Sequence, residues 1–187
     1  TEWGKPEKAE ELKKLLSDPN PLQAMTARAQ ALKGQGSFAE AEMLEREMLE
    51  IAMKRGDEGI LDLPLYQLRL AETLVMLGNF KEAESLARAS LTIREKEGAE
   101  APVAWTRATL GSALVGQKRY VDAEPLLVPA CEAIHQLDSK TGLNDMQKAG
   151  MKDRATSLVQ LYEATGRPEK AAEWRKLLAT MPDAAPR

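Results

Sequence analysis

Cys131 and His135 stand four residues apart, a spacing that puts both on one face of a helix and could begin a metal site. Asp138 could add a third ligand. Yet the chain has one His and one Cys, and a solvated helix end accounts for all three residues. The same two could form a thiol–imidazole nucleophile pair, but no third group is placed to orient the base. Carboxylates come in pairs: Glu40/Glu42, Glu82/Glu84 and Asp122/Glu124. A general acid and base need one site whose two environments separate their pKa values. Acids recurring once per unit read instead as first-turn residues, stabilised by the helix dipole. Lys13-Lys14 and Arg175-Lys176 are each set among acids, so they make no basic stripe for a nucleic acid. The chain reads as non-catalytic, with no metal, cofactor or nucleic-acid partner.

The acids recur because a longer segment recurs. Gly78-Asn79-Phe80-Lys81-Glu82-Ala83-Glu84 returns as Gly36-Ser37-Phe38-Ala39-Glu40-Ala41-Glu42 and as Lys118-Arg119-Tyr120-Val121-Asp122-Ala123-Glu124. Looser copies lie near the ends, Gly4-Lys5-Pro6-Glu7-Lys8-Ala9-Glu10 and Gly166-Arg167-Pro168-Glu169-Lys170-Ala171-Ala172. Phe38 to Phe80 is 42 residues and Phe80 to Tyr120 is 40; the outer spacings, from Pro6 to Phe38 and from Tyr120 to Pro168, are 32 and 48. A unit of about 40 residues has room for two helices and two short turns.

The elements that must carry these motifs follow from apolar period and breakers. Helices are predicted over about 6–17, 22–34, 38–55, 61–77, 80–97, 101–115, 120–137, 145 or 151–165, and 168–179. Ala41, Leu44, Met48 and Ala52 show the 3.6-residue period in the third. The fifth carries Ala83, Leu86, Ala87, Ser90, Leu91 and Arg94 and is closed by Gly98. Asp18-Pro19-Asn20-Pro21 and Gly56-Asp57-Glu58-Gly59 read as breaks, and Asp138-Ser139-Lys140-Thr141-Gly142 as a loop. Pro129 should remove an interior hydrogen bond from the seventh helix and bend it. The motif alanines, Ala9, Ala41, Ala83, Ala123 and Ala171, mark the closest helix approach. No run reads as a strand, so the fold class is all-α. Helix pairs that cannot bury their apolar sides alone stack on their neighbours. The expected organisation is one array over 1–180: a partial repeat at 1–17, repeats at about 21–56, 60–98, 101–138 and 145–180, then a flexible tail at 181–187.

Bulk composition agrees. A net charge of -3 is spread over 26 basic and 29 acidic residues, which suits solubility better than tracking phosphates. A single cysteine forms no internal disulfide. No apolar run approaches the roughly 20 residues that span a bilayer, so this stretch is expected to make no membrane contact. No signal peptide opens the chain, but with Thr at residue 1 that says little about the full-length protein; the expected compartment of this stretch is the cytoplasm. Thr1-Glu2-Trp3 precedes Gly4 as Glu163-Ala164-Thr165 precedes Gly166, which reads as the tail of a helix cut away upstream.

These motifs resemble the tetratricopeptide repeat, in which a turn precedes a Gly-x-Tyr/Phe-x-x-Ala segment, although its basic unit is 34 residues. The longer spacing is similar to the long-helix variant of kinesin light chains. The paired site usually filled by Leu then Gly or Ala reads Arg28-Ala29, Leu70-Ala71, Leu110-Gly111 and Leu158-Val159; Arg28 and Val159 depart from the pattern, as does Lys118 in place of Gly. Residues 158–175, with 116–127, resemble arrays attached to bacterial serine/threonine protein kinases, whose catalytic domain would then lie upstream. The resemblance implies a right-handed superhelical solenoid of antiparallel pairs whose concave face, lined by the first helix of each pair, binds a protein or peptide segment. Its register puts Gln23, Thr26, Gln30 and Lys33 on that face, then Leu65, Leu68, Glu72 and Val75. Trp105, Ala108, Ser112 and Val115 follow, then Asp153, Thr156, Gln160 and Glu163. The row lacks the repeated Lys/Arg/Asn clamp used on acidic chaperone tails. Trp105 is the expected anchor, or else packs on a neighbouring repeat. The function implied is a protein-binding scaffold within a larger protein. Alternatives are an architectural or self-association module, and the regulatory region of a kinase.

Overall fold

Four turns of the chain close in the same way. After Met76, the Gly78 N–H donates to the Val75 carbonyl at 3.1 Å and the Asn79 N–H to Leu74 at 2.8 Å. The same two bonds recur at Gly36/Ser37 (3.0 and 2.9 Å), Lys118/Arg119 (2.8 and 2.9 Å) and Gly166/Arg167 (3.2 and 2.8 Å). Each set ends a helix by satisfying carbonyls of its last turn, and it requires a left-handed residue just past the helix. The φ values there are 76° at Gly36, 80° at Gly78, 61° at Lys118 and 69° at Gly166.

The computed structural model describes residues 6–55, 63–98 and 100–180. Among them the helices are α1 (Pro6–Leu16), α2 (Pro21–Gly34), α3 (Phe38–Arg55), α4 (Leu63–Met76), α5 (Phe80–Glu97), α6 (Glu100–Gly116), α7 (Tyr120–Thr141), α8 (Asp145–Ala164) and α9 (Pro168–Thr180). The described residues form no strand, and the fold is all-α. Trp3, Gly4, the break at Gly56-Asp57-Glu58-Gly59 and the tail at 181–187 lie outside the described residues.

The motif alanine opens each second helix. Ala41, Ala83, Ala123 and Ala171 are fully buried. Each donates its N–H to the carbonyl four residues earlier, at Ser37, Asn79, Arg119 and Arg167. Ala9, in α1, is only half-buried. The close approach also uses glycine. A Cβ built on Gly111 would stand 2.7 Å from Leu127 Cβ, and one on Gly116 would stand 2.3 Å from the Phe80 ring. The apolar interior falls into two clusters that meet in α4, where Tyr66 joins the cluster of α1–α3 and Leu70 the larger one running to α9.

One expectation changes around residues 129–145, and one choice between two starts closes. α7 does not stop at Leu137 but continues through Asp138-Ser139-Lys140 to Thr141. Polar side chains there bond back to the preceding turn, Ser139 Oγ to Gln136 O at 2.8 Å and Thr141 Oγ1 to Leu137 O at 3.0 Å. Asp138 accepts from the Leu143 N–H at 2.8 Å, and buried Leu143 pins the connection to the core. α8 starts at Asp145, ahead of Met151, because Asn144 and Gln147 form a reciprocal capping box. α7 also runs unbroken through Pro125 and Pro129. The carbonyls deprived of a helical donor belong to Val121 and Pro125, which are exposed, so water can serve them.

Candidate interaction surface

The first helices of the last three pairs pack on one another. α4, α6 and α8 stand side by side, while no comparable packing joins α3, α5, α7 and α9. The inner row is therefore narrow and the outer row splayed, which is the curvature that makes the first-helix side the inner face.

The candidate residues on that face are not equally accessible. Gln23, Asp153 and Gln160 are exposed, and Gln30, Lys33, Leu65, Glu72 and Trp105 are half-buried. Leu68 and Ser112 are each 6% exposed, which corrects their placement on the surface. They lie where neighbouring first helices press together. Trp105 is packed against the main core cluster, so it serves both as wall and as floor.

Around Trp105 the structure assembles a polar cluster that the sequence pattern does not announce. Arg154 of α8 is 5% exposed. Its Nη2 donates to Glu72 Oε1 on α4 and, at 2.7 Å, to Thr109 Oγ1 on α6. Its Nη1 donates to the Gly150 carbonyl at 2.7 Å, and the guanidinium lies 4.8 Å from the centre of the Trp105 ring. A Cβ on Gly150 would stand 2.8 Å from that Nη1, so glycine makes the room. Glu72, Trp105 and Arg154 thus converge from three successive first helices.

A second buried charge lies on the α2–α3 side. Glu45 is 1% exposed and accepts from Lys33 Nζ at 2.9 Å. Burial raises its pKa against the pull of Lys33. Arg94, in the apolar stripe of α5, is also buried; its Nε reaches Ser90 Oγ at 3.4 Å, and that hydroxyl donates to Pro64 O at 2.6 Å. Desolvation lowers the Arg94 pKa, with Glu97 and Glu72 opposing.

The recurring acids turn outward and tie units together. Arg119 Nη1 donates to both Glu84 oxygens at 3.0 and 2.9 Å, and Arg167 clasps Glu124 at 2.6 and 2.8 Å. These are the same pair in successive units: the residue before the motif aromatic or proline, and the acid four beyond it. Asn79 breaks the series, and Arg46 replaces it by holding Glu82 at 2.6 Å as well as its own Glu42 at 2.8 Å. The dipole reading of these acids is therefore incomplete, since inter-unit pairing is their stronger contact.

Cys131 and His135 do not share an environment. Cys131 is fully buried, its thiol pushed up to about 12 by desolvation, whereas His135 is exposed. Among the described residues no three His, Cys, Asp or Glu side chains are grouped as a metal site, and no helix is long and apolar enough to cross a membrane. Surface recesses of about 910 Å³ along α1 and about 510 Å³ beside Gly78 and Gln117 include none of the inner-face candidates.

Residues 66–97 match the tetratricopeptide repeat family model. That segment holds most of α4 and all of α5, with the left-handed Gly78 turn between them. The fold is of the tetratricopeptide-repeat type. A solved relative in fold is BtubC (BKLC) from P. vanneervenii, with 19% identity, a TM-score of 0.52, and coverage of 92% of this chain and 85% of that one. No curated protein matches. Neither likeness supports the expected relation of residues 158–175 to kinase-attached arrays. Tetratricopeptide repeats mediate protein–protein contacts and are typically non-catalytic.

Two signals for the missed residues are present in the sequence. Arg154 falls on the stripe Met151, Ala155, Leu158, where a charge on a buried face demands a partner. Arg119 and Arg167 share one motif position, as do Glu84 and Glu124.

Proposed function

We propose that this chain is a non-catalytic scaffold whose inner, first-helix face holds a segment of a partner protein. The observation that carries this reading is a row of unlike side chains at one repeated position. Gln23, Leu65, Trp105 and Asp153 occupy equivalent sites on α2, α4, α6 and α8, and all are exposed or half-buried. The packing positions of the same units are nearly invariant alanines. Shape is thus repeated while accessible chemistry is not, the division expected where recognition is read along a rigid surface.

A photo-crosslinking side chain placed at Gln23 or Gln160 tests this, with Val121, 87% exposed on an outer first turn, as control. Exposed to extract from the source organism, the inner positions should capture a discrete partner that the Val121 position does not. Equal capture from both faces overturns the assignment. If the captured species is a second copy of this chain, self-association replaces partner binding as the function.

A further inference from the structure

We infer that Arg154 is the receptor for a glutamate side chain of the bound segment, and that Glu72 fills this receptor in the unbound chain. The inference rests on the scaffold reading and names the chemistry of its central contact. Arg154 is held by α8 packing, by the Gly150 carbonyl and by Thr109, all independent of Glu72. The guanidinium is therefore positioned whether or not Glu72 is present. Its Nε is buried without a hydrogen-bond partner, so the donor set is not used up. One turn along α6 from Thr109, the buried Ser112 hydroxyl also has no partner. Both are costly states for buried polar groups.

Glu72 differs from the group it contacts. Its side chain is 33% exposed against 6% for Arg154, and it arrives from α4, two units away, passing across α6. It is the accessible half of the pair and can swing to solvent, whereas Arg154 cannot. A competing carboxylate can then take its place in a near-balanced exchange of one ion pair for another. The depth of the guanidinium sets the ligand. A carboxylate must come on a slender stem, which a glutamate side chain provides and a chain terminus, with its backbone bulk, does not. Asp153 beside the receptor disfavours a second acid, and half-buried Leu65 and Val75 suit apolar neighbours. The fitting segment carries one glutamate between apolar residues, unlike a polyacidic tail.

The test uses three peptides: a blocked heptapeptide with one central glutamate between leucines, its glutamine counterpart, and the glutamine peptide with a free C-terminal carboxylate. Binding is followed through the Arg154 Nε–Hε resonance, assigned by its loss in Arg154→Lys. The glutamate peptide should shift that resonance and the other two should not. If Glu72 occupies the receptor more than nine-tenths of the time, Glu72→Gln should tighten binding about tenfold or more. Glu72→Gln keeps an acceptor for Arg154, and its melting curve verifies the fold. An unmoved resonance in both folded proteins, equal binding of the glutamine peptide, equal binding through the free terminus, or unchanged affinity in Glu72→Gln would each overturn the inference. Inner-face crosslinks that persist in Arg154→Lys beside a null titration remove the receptor and leave the scaffold. A positive titration without inner-face crosslinks to a partner does the reverse.

Discussion

Lys118 is the one non-glycine residue with positive φ among those described, and it sits where the other three such turns have glycine. Its Cβ crowds the backbone in that conformation, a cost that glycine lacks. Lys118→Gly should therefore raise stability by about 0.5–1 kcal/mol, part of the relief being offset by the freedom glycine gains when unfolded. Urea denaturation reads this directly; a lower midpoint would show that the lysine side chain contributes more than its strained turn costs. The same register that makes Lys118 conspicuous put Glu72, Trp105 and Asp153 on one face from the sequence. It could not supply Arg154. That pairing joins positions 82 residues apart and exists only because α4, α6 and α8 curve together, which no local pattern encodes. Leu68 and Ser112 were misplaced for the same reason: a helical register says which way a residue points, not how near the next helix stands.

At the level of helices, the most extensive packing is between α6 and α7. Gly111 lies against Leu127, whose Cα would be 3.1 Å from an added Cβ. Equivalent positions in the other units hold Ala29, Ala71 and Val159, so the other pairs accommodate a side chain there. Gly111→Ala should cost about 1–3 kcal/mol through overpacking. A thermal midpoint equal to wild type would mean that α7 shifts away freely. Most helix starts were legible because the motif places aromatic or proline, acid and alanine at fixed steps, and most ends because glycine marks them. The end of α7 was not, because Asp138-Ser139-Lys140-Thr141 has the composition of a loop. Those side chains instead cap the helix from within once Leu143 is buried beyond them. The capping box at Asn144 and Gln147 was present in the sequence and decides the start of α8.

Across the whole molecule, the outer face is laced by carboxylates whose pKa values are held down. Glu82 is lowered by its bond from Arg46, and Glu124 by Arg167. Burial pulls Glu84 upward, yet bonds from Gln117, Arg88 and Arg119 leave it below its ordinary value. Each binds its proton less readily folded than unfolded, so stability is present at neutral pH and lost as pH falls through these folded values. Urea midpoints should fall between about pH 5 and pH 3, with a shallower fall in Glu84→Gln. Glu45, raised by burial, works against this trend. A midpoint that climbs on acidification would show that Glu45 dominates. The tie between Glu72 and Arg154 acts on a different axis. A stacked array is close to a one-dimensional lattice in which each unit is coupled only to its neighbours, and its ends can melt off singly. The ion pair from Glu72 on α4 to Arg154 on α8 adds a second-neighbour coupling, so α8 and α9 detach only by breaking a contact to α4 as well as those to α6 and α7. The last three helix pairs are thereby joined into one cooperative block, and only the α1–α3 end is left to fray alone.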